Sequence, residues 1–306
     1  MAFRHRWSFS FGTITKRNAH GASAGNLMSM TSKTRLSARD VTIGYGGAPV
    51  LTDVTLDIES GEIVILVGPN GCGKSTLLKT IARVLKPQSG HVLLDGNDIR
   101  HMNTRKVARR LALLPQGPVA PEGLLVHELV ALGRFPYQTA LRQWSRADAD
   151  AVAEAMVETN TSDYADTPVA QLSGGQRQRC WIAMVLAQGT DLILLDEPTT
   201  FLDLKVQIDL MSLLLRLART GGRTLLIVLH ELNVAAAFAD RLVVMREGRI
   251  FRSGPPSEIL SEGLLKQAFD LDAQIIADPS TGRPVCIPIV PDISDTGRPM
   301  ELRKSA

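Results

Sequence analysis

The chain has 306 residues, of which 44% are hydrophobic and 21% are charged, as is usual for a globular protein with a core of normal size. Residues 1–39 hold seven of the 34 basic residues and none of the 31 acids, so residues 40–306 carry a formal charge of −4 although the whole chain carries +3. A body of that charge gives no electrostatic basis for binding nucleic acid. The longest apolar run, residues 180–187, is much shorter than the roughly 20 residues that span a membrane. We therefore expect no membrane-spanning helix and no secretory signal.

The chain begins with a segment that lacks hydrophobic periodicity. Residues 1–34 are rich in Ser, Gly, Asn and basic residues, and this composition predicts a disordered basic tail. Because Met28 and Met30 lie just before the first patterned segment, a further hypothesis is that translation starts at one of them. Residues 277–306 contain five prolines and form a C-terminal extension, for which the sequence predicts short strands followed by a loose tail.

Between these ends, residues 35–276 alternate short apolar runs with helical patterns. The pattern predicts an α/β core interrupted by a mostly helical segment at about residues 117–188. The predicted strands cover residues 36–43, 50–58, 63–67, 91–94, 111–114, 192–195 and 224–229, with a hairpin at 241–245 and 249–251. The predicted helices cover residues 74–85, 149–159, 206–217 and 231–238, the second of them preceded by a capping-box pair, Ser145 and Asp148.

A glycine-rich run follows the predicted strand 63–67. Its sequence, GPNGCGKS at residues 68–75, fits the phosphate-loop pattern G-x-x-x-x-G-K-[ST]. Such a loop turns its backbone N–H groups toward phosphate oxygens at the N-terminus of the next helix. Lys74 would contact the β- and γ-phosphates, and Ser75 would offer its hydroxyl to Mg²⁺. The predicted ATP-binding residues of this loop are Gly68, Pro69, Asn70, Gly71, Cys72, Gly73, Lys74, Ser75 and Thr76.

Two adjacent acids end the predicted strand 192–195. In α/β proteins the carboxyl ends of strands are where ligands bind. Asp196 is therefore a candidate Mg²⁺ ligand, and Glu197 a candidate general base that polarises the attacking water. The alternative is a pair of solvated acids at a strand end, and the phosphate loop in the same chain weakens it.

The segment LSGGQRQR at residues 172–179 narrows the class. Its residues Ser173, Gly174 and Gly175 begin a predicted helix, whose free N–H groups make a second anion site. The segment resembles the signature motif of ABC ATPases, and the resemblance extends from Leu36 to about Ile276. It implies an α/β P-loop NTPase core with an antiparallel β subdomain and a helical insertion subdomain. It also implies a head-to-tail homodimer, in which Ser173, Gly174, Gly175 and Gln176 contact the ATP held by the other copy.

The same resemblance assigns four further residues. Gln116 matches the glutamine that meets Mg²⁺ and water, and His230 matches the histidine that contacts the γ-phosphate. Asp203 matches the acid of the D-loop, although Phe201 departs from the usual small residue. Tyr45 matches the aromatic residue that stacks on adenine, with packing at a strand end as the alternative.

The finer resemblance is to ATP-binding subunits of ferric siderophore importers, most closely the ferric enterobactin type. It rests on VHELV at residues 126–130, GRFPY at 133–137, EPTTFLD at 197–203 and VLHELN at 228–233, with departures at Tyr137 and Glu231. Cobalamin and haem importers share much of this pattern and remain alternatives for the cargo. A soluble ABC ATPase acting on nucleic acid or ribosomes would have tandem domains or coiled coils, and a regulator without turnover would lack Lys74, Glu197 or His230.

The resemblance also implies partners. These are a polytopic membrane permease, which would hold the subunit at the cytoplasmic face of the inner membrane, and indirectly a substrate-binding protein. In such importers the segment from Gln116 to about Trp144 docks on the permease. Five apolar residues of this segment are candidates for that contact: Leu124, Leu125, Leu129, Leu132 and Phe135. The alternative is that they pack the core of the helical insertion, and this alternative is favoured for most of the five.

Overall fold

The computed structural model describes residues 34–139 and 144–290. The predicted basic tail before Thr34, the hypothetical starts at Met28 and Met30, and the loose tail beyond residue 290 lie outside the described residues. None of the helices in the described ranges is long and apolar enough to cross a membrane.

The described residues form the following elements. The strands are β1 (Thr34–Ile43), β2 (Leu51–Glu59), β3 (Ile63–Val67), β4 (Ser89–Leu94), β5 (Asn97–Asp98), β6 (Leu111–Leu114), β7 (Leu192–Asp196), β8 (Thr224–Val228), β9 (Arg241–Arg246), β10 (Arg249–Gly254), β11 (Ala273–Ala277) and β12 (Pro284–Pro288). The helices are α1 (Lys74–Ile81), α2 (Thr104–Ala108), α3 (Val126–Ala131), α4 (Arg146–Glu158), α5 (Gly174–Ala187), α6 (Leu204–Gly221), α7 (Leu232–Phe238), α8 (Pro256–Ile259) and α9 (Glu262–Phe269). Short 3₁₀ turns cover Leu132–Tyr137, Ser162–Tyr164 and Val169–Gln171.

The central sheet has six strands in the order β10-β9-β3-β8-β7-β6. Its strands β9, β3, β8, β7 and β6 run parallel, and β10 pairs antiparallel with β9. The strands β3, β7 and β8 are buried along their whole length, because helices or the second sheet cover both faces. This double burial explains why they read as continuous apolar runs in the sequence.

Alternate residues of the central strands feed two separate cores. Ile65 and Ile227 point toward the core formed with α5, α6 and α9, whereas Leu66 and Val228 point toward the core formed with α1 and the antiparallel sheet β2-β1-β4-β5. The period-two alternation of a strand places neighbouring residues on opposite faces in this way. The sheet therefore packs against a helical layer on one face and a β layer on the other, and this packing fixes the position of the carboxyl ends of its strands.

The helical insertion lies between β6 and β7. Its helices α3, α4 and α5 pack on one another, with Leu129 fully buried among them. A buried ion pair ties the segment together, because Arg134 Nε lies 2.9 Å from Asp148 Oδ1 at the start of α4. Ser145 and Asp148 form the predicted capping box. Leu132 and Phe135 instead are 53% and 71% exposed, so they do not belong to this core.

Some predicted bounds differ from the observed ones for identifiable reasons. Helix α1 ends at Ile81 and not at residue 85, because Arg83 adopts a left-handed conformation with φ 62°. Helix α6 extends beyond the prediction at both ends, from the cap at Asp203 to the left-handed Gly222. The sequence reasoning assigned nothing to α8 or α9, although Ser261 caps α9 in the usual way. The hairpin β11–β12 joins residues on both sides of the proposed boundary at residue 276.

Candidate functional site

The phosphate loop connects the buried strand β3 to α1, as the sequence predicts. Two of its glycines are required by the backbone. A Cβ atom at Gly68 would lie 2.3 Å from the carbonyl oxygen of Met245, and Gly73 has φ 102° at the N-cap of α1. The loop thus passes close under β9 and delivers Lys74 and Ser75 to the first turn of the helix.

Lys74 is folded back into its own loop. The residue is only 5% exposed, and its Nζ donates to the carbonyl oxygens of Gly68 at 2.8 Å and Pro69 at 3.1 Å. These partners are neutral, so a phosphate oxygen is a stronger acceptor for the ammonium group. Cys72 Sγ lies 3.9 Å from the same nitrogen, and burial raises the pKa of its thiol despite the nearby lysine. Cys72 therefore fills the loop as a protonated thiol.

Asp196 ends β7 directly beside the first turn of α1. Its Oδ1 accepts a hydrogen bond from Ser75 Oγ at 2.8 Å, and the residue is 1% exposed. The second oxygen, Oδ2, is buried and has no hydrogen-bond partner among the described residues. Burial raises the pKa of Asp196, and the neighbouring Glu197 adds to this, while Ser75 and two lysines oppose it. An unsatisfied buried carboxylate oxygen beside a hydroxyl is the type of oxygen donor set that Mg²⁺ accepts.

Glu197 follows Asp196 in a left-handed conformation, with φ 52°. Three side chains meet its carboxylate. Gln116 Nε2 donates at 2.5 Å and Thr200 Oγ1 at 3.1 Å to Oε2, and His230 Nε2 lies 2.5 Å from Oε1. The left-handed backbone and the three contacts hold the carboxylate at the carboxyl end of β7, inside the central sheet's row of strand ends. No role for Thr200 is predicted from the sequence, although a hydroxyl three residues after Glu197 indicates a possible contact with its carboxylate.

A depression of about 170 Å³ lies between these groups. Its lining combines the phosphate loop with the sheet edge, including Lys74, Ser75, Thr76, Glu197 and His230. Tyr45 is 65% exposed and does not line the depression, so its contact with adenine stays a prediction. Two of the three predicted catalytic residues, Glu197 and His230, therefore line the same depression as the phosphate loop, and Gln116 is joined to it by its hydrogen bond to Glu197.

The signature segment lies elsewhere. Ser173 caps α5, its hydroxyl accepts from Gln176 N at 3.3 Å, and Gln176 Oε1 accepts from Ser173 N at 3.0 Å. Gly174 lines a larger cleft of about 680 Å³, which also includes Gln116 and Phe201 and shares Glu197 with the depression. Within the described residues, none of the four signature residues lines the depression beside the phosphate loop. The start of α5 is thus a capped helix N-terminus that lies outside the depression lined by the phosphate loop.

The D-loop acid has a structural partner. Asp203 Oδ1 accepts from Val206 N at 2.9 Å and so caps α6. Phe201, two residues earlier, is fully exposed and has φ 64°. The assignment of Asp203 to contacts between two copies stays a prediction.

Comparison with known proteins identifies the family. Residues 51–200 match the model of the ABC transporter family. The ferric enterobactin transport ATP-binding protein of Escherichia coli (strain K12) is 47% identical over 258 residues, which cover 84% of this chain and 95% of that protein. This chain belongs to the ABC transporter ATP-binding family. The achromobactin transport ATP-binding protein of Dickeya dadantii (strain 3937) is 50% identical to this ABC subunit over 255 residues, with 83% and 95% of the two chains covered.

Solved structures place the ABC fold in a dimeric setting. A dimeric bacterial ABC transporter cassette is 31% identical, with a TM-score of 0.64, covering 72% of this chain and 98% of that one. A post-hydrolysis dimer of an ATP-binding cassette, bound to ADP and Pi, gives the same TM-score at 30% identity and the same coverage. These likenesses support the predicted α/β core with its β and helical subdomains as an ABC cassette that binds ATP.

Proposed function

We propose that this chain is the ATP-hydrolysing subunit of an ABC importer that energises the uptake of ferric siderophores. Two copies would pair with a polytopic permease at the cytoplasmic face of the cell membrane and respond indirectly to a substrate-binding protein. The cargo is supported by the relatives, which are named for enterobactin, achromobactin and petrobactin at 47–50% identity. The hemin import ATP-binding protein of Rhodococcus jostii (strain RHA1) is less similar, at 41%.

The observation that carries the proposal is that α1, β7 and β8 meet at the carboxyl ends of the central strands. The Ser75–Asp196 hydrogen bond joins α1 to β7, and the His230–Glu197 contact joins the end of β8 to the end of β7. Lys74 stands in the same depression. A phosphate cradle, a candidate metal-binding acid and a candidate base lie together, as phosphoryl transfer to water requires.

Binding of ATP exchanges the partners of Lys74. Its ammonium group leaves the carbonyl oxygens of Gly68 and Pro69 for oxygens of the β- and γ-phosphates. The N–H groups at the start of α1 point at the same phosphates, and the dipole of the helix adds to the attraction.

Ser75 Oγ and Asp196 Oδ2 would hold Mg²⁺, with Gln116 as the further ligand. When bound, this ion neutralises charge on the β- and γ-phosphate oxygens. The orphan Oδ2 of Asp196 fits that role, because it is buried and has no protein donor to compete.

Hydrolysis then uses Glu197 and His230. A water oxygen bonds to the γ-phosphorus, the bond from that phosphorus to the bridging oxygen breaks, and Glu197 accepts the proton of the water. ADP and inorganic phosphate leave as products. His230 contacts the γ-phosphate and orients Glu197. A second copy supplies further N–H groups that bind the γ-phosphate, from Ser173, Gly174 and Gly175 at the start of its helix α5.

Growth on defined iron sources tests the cargo. A strain deleted for this chain is grown under iron limitation with ferric enterobactin, with haem, or, for a cobalamin-dependent strain, with cobalamin. Loss of growth on the siderophore alone supports the proposal, and loss on haem or cobalamin alone would overturn the cargo.

The permease contact has its own variant in the same strain. Phe135 is 71% exposed and lies in the segment predicted to dock. Phe135→Glu should abolish siderophore-supported growth while the purified chain keeps its basal ATPase rate. The control is Val84→Glu, since Val84 is also exposed but lies just after α1, outside the predicted docking segment. Normal growth of Phe135→Glu would contradict docking at this residue.

A further inference from the structure

The C-terminal hairpin β11–β12 packs against α7, the helix that follows His230. No function of the C-terminal extension is predicted from its sequence. Helix α7 has seven residues, and a helix of that length is marginal without outside support. Its N-cap, Glu231, makes no side-chain cap hydrogen bond, and its last turn holds no basic residue. Within the described residues, α7 therefore has no side-chain cap at its start and no basic residue of its own near its end.

At the first turn of α7, the hairpin binds the side chain of Asn233. Asn233 Nδ2 donates to the carbonyl oxygen of Cys286 at 3.0 Å, and Cys286 N donates to Asn233 Oδ1 at 2.8 Å. The amide of Asn233 thus pairs with β12 as a neighbouring strand would. Cys286 is 6% exposed, so this pairing ties α7 to a buried part of the hairpin.

The hairpin also completes the last turn of α7. Arg283 Nη1 donates to the carbonyl oxygens of Ala236 at 2.9 Å and Ala239 at 3.0 Å. A guanidinium group at a helix C-terminus satisfies free carbonyl groups and interacts favourably with the helix dipole. One hairpin therefore contacts α7 at its first turn through Asn233 and at its last turn through Arg283.

His230 lies between two anchors. On one side Leu229 N donates to the carbonyl oxygen of Leu66 at 3.1 Å, which fixes the chain to the central sheet. On the other side α7 begins at Leu232, two residues after His230. The direction of the imidazole toward Glu197 Oε1, at 2.5 Å, thus depends on where α7 sits.

From this arrangement we propose that Asn233 and Arg283 are positioning residues for His230, and that the C-terminal hairpin supports the hydrolytic site through α7. This inference rests on the proposed ATPase function. It predicts a specific kinetic defect. Loosening α7 should move the imidazole without disturbing the phosphate loop, which is built on β3 and α1.

The test uses the full chain and four variants. Asn233→Ala and Arg283→Ala should lower kcat for ATP about tenfold with KM unchanged, because positioning for the chemical step is lost while binding is kept. Arg283→Lys retains a cation near the two carbonyl oxygens and should recover most of the rate. Lys266→Ala is the control, since Lys266 Nζ pairs with Asp272 Oδ2 at 2.8 Å near the start of the hairpin, without touching α7.

Hydrogen exchange supplies the second readout. Amides of residues 229–239 should lose protection in Asn233→Ala, while those of residues 63–81 keep it. If Asn233→Ala fails to fold, the Arg283→Ala and Arg283→Lys pair decides the question. Unchanged kcat, a change in KM alone, or an equal loss in Lys266→Ala would overturn the inference. Absence of ATP turnover in the unmodified chain would instead overturn the proposed function.

Discussion

The proposed chemistry depends above all on the position of the Glu197 carboxylate. Gln116, Thr200 and His230 all contact its carboxylate, and the residue sits in a strained left-handed conformation. Two of these contacts are to Oε2 and one is to Oε1, so the carboxylate keeps an acceptor site for the attacking water while its position is held.

The first prediction concerns the charge of Glu197. Glu197→Gln keeps the shape and the contact with Thr200 but removes the proton acceptor. We expect ATP binding to persist and turnover to fall by about 10²–10⁴-fold, which corresponds to roughly 3–5 kcal/mol of barrier. Steady-state hydrolysis and fluorescent-nucleotide titration measure the two properties. Glu258→Gln, at an exposed carboxylate on α8, is the control, and equal turnover in the two variants would remove Glu197 from the mechanism.

The second prediction concerns the ion pair of Arg134 and Asp148. Burial raises the pKa of Asp148, but hydrogen bonds from Ser145 and Arg134 together outweigh it, and the pKa lies below its usual value. A carboxylate with a lowered pKa stabilises the fold above the pKa of the unfolded chain, about 3.9, and loses this effect as the pH falls through the folded value. Asp148→Asn should therefore cost about 3–5 kcal/mol at pH 7 and at pH 5 alike, because it strands a buried guanidinium.

Denaturant unfolding at several pH values checks this expectation. The difference between the two proteins should shrink only below about pH 4, where the unfolded carboxylates take up protons. Asp150→Asn, an exposed change on the same helix, should cost nothing measurable. A difference that grows on acidification would contradict the assignment.

At the scale of elements, α5 and α6 meet at a glycine. A Cβ atom at Gly175 would lie 2.6 Å from Val206 Cγ1, whereas one at Gly174 would meet Leu202 Cδ2 at an ordinary 3.5 Å. The signature helix can approach α6 this closely only because position 175 has no side chain. This contact sets how the start of α5 is presented.

The third prediction follows from that contact. Gly175→Ala should push α5 away from α6, lowering both the melting temperature and ATP turnover while single-copy nucleotide binding stays unchanged. Val206→Ala in the same chain removes the clashing methyl group and should restore the melting temperature. Gly174→Ala, which meets no clash, should leave the melting temperature unchanged or raise it, since alanine favours helix. Failure of the double variant to recover stability would show that the close contact is not the cause.

How far the sequence predicts the elements depends on their environment. Strands such as β3 and β7 are clear because burial on both faces leaves an unbroken apolar run. The capping box of Ser145 and Asp148 is predictable for a different reason, because it involves two residues only three positions apart. The end of α1 was not, because the left-handed turn at Arg83 depends on contacts made elsewhere, including its hydrogen bond to the carbonyl oxygen of Met102.

The candidate site divides in the same way. The phosphate loop around Lys74 and the strand end at Asp196 and Glu197 are each a short continuous motif, and their meeting follows from the parallel sheet. Asn233 and Arg283 are 50 residues apart, and a single sequence carries no sign that one hairpin contacts both ends of α7. Long-range contacts between polar side chains and backbone are what the sequence leaves out.

At the scale of the whole molecule, the signature helix and the phosphate loop of one copy do not share a pocket. Gly174 lines one cleft and Lys74 another, and of these two residues neither lines both, although Glu197 does. Two anion sites in one chain have a simple use if each completes the other in a pair of copies related by symmetry. Catalysis would then belong to the pair, and a lone subunit would bind ATP without efficient turnover.

Turnover per chain as a function of protein concentration tests this claim most directly. At saturating ATP and Mg²⁺, the rate per chain should rise with concentration from nanomolar to micromolar and level off as pairing saturates. Sedimentation at each concentration establishes which samples are monomeric. A constant rate per chain across samples that sediment as monomers would contradict the account.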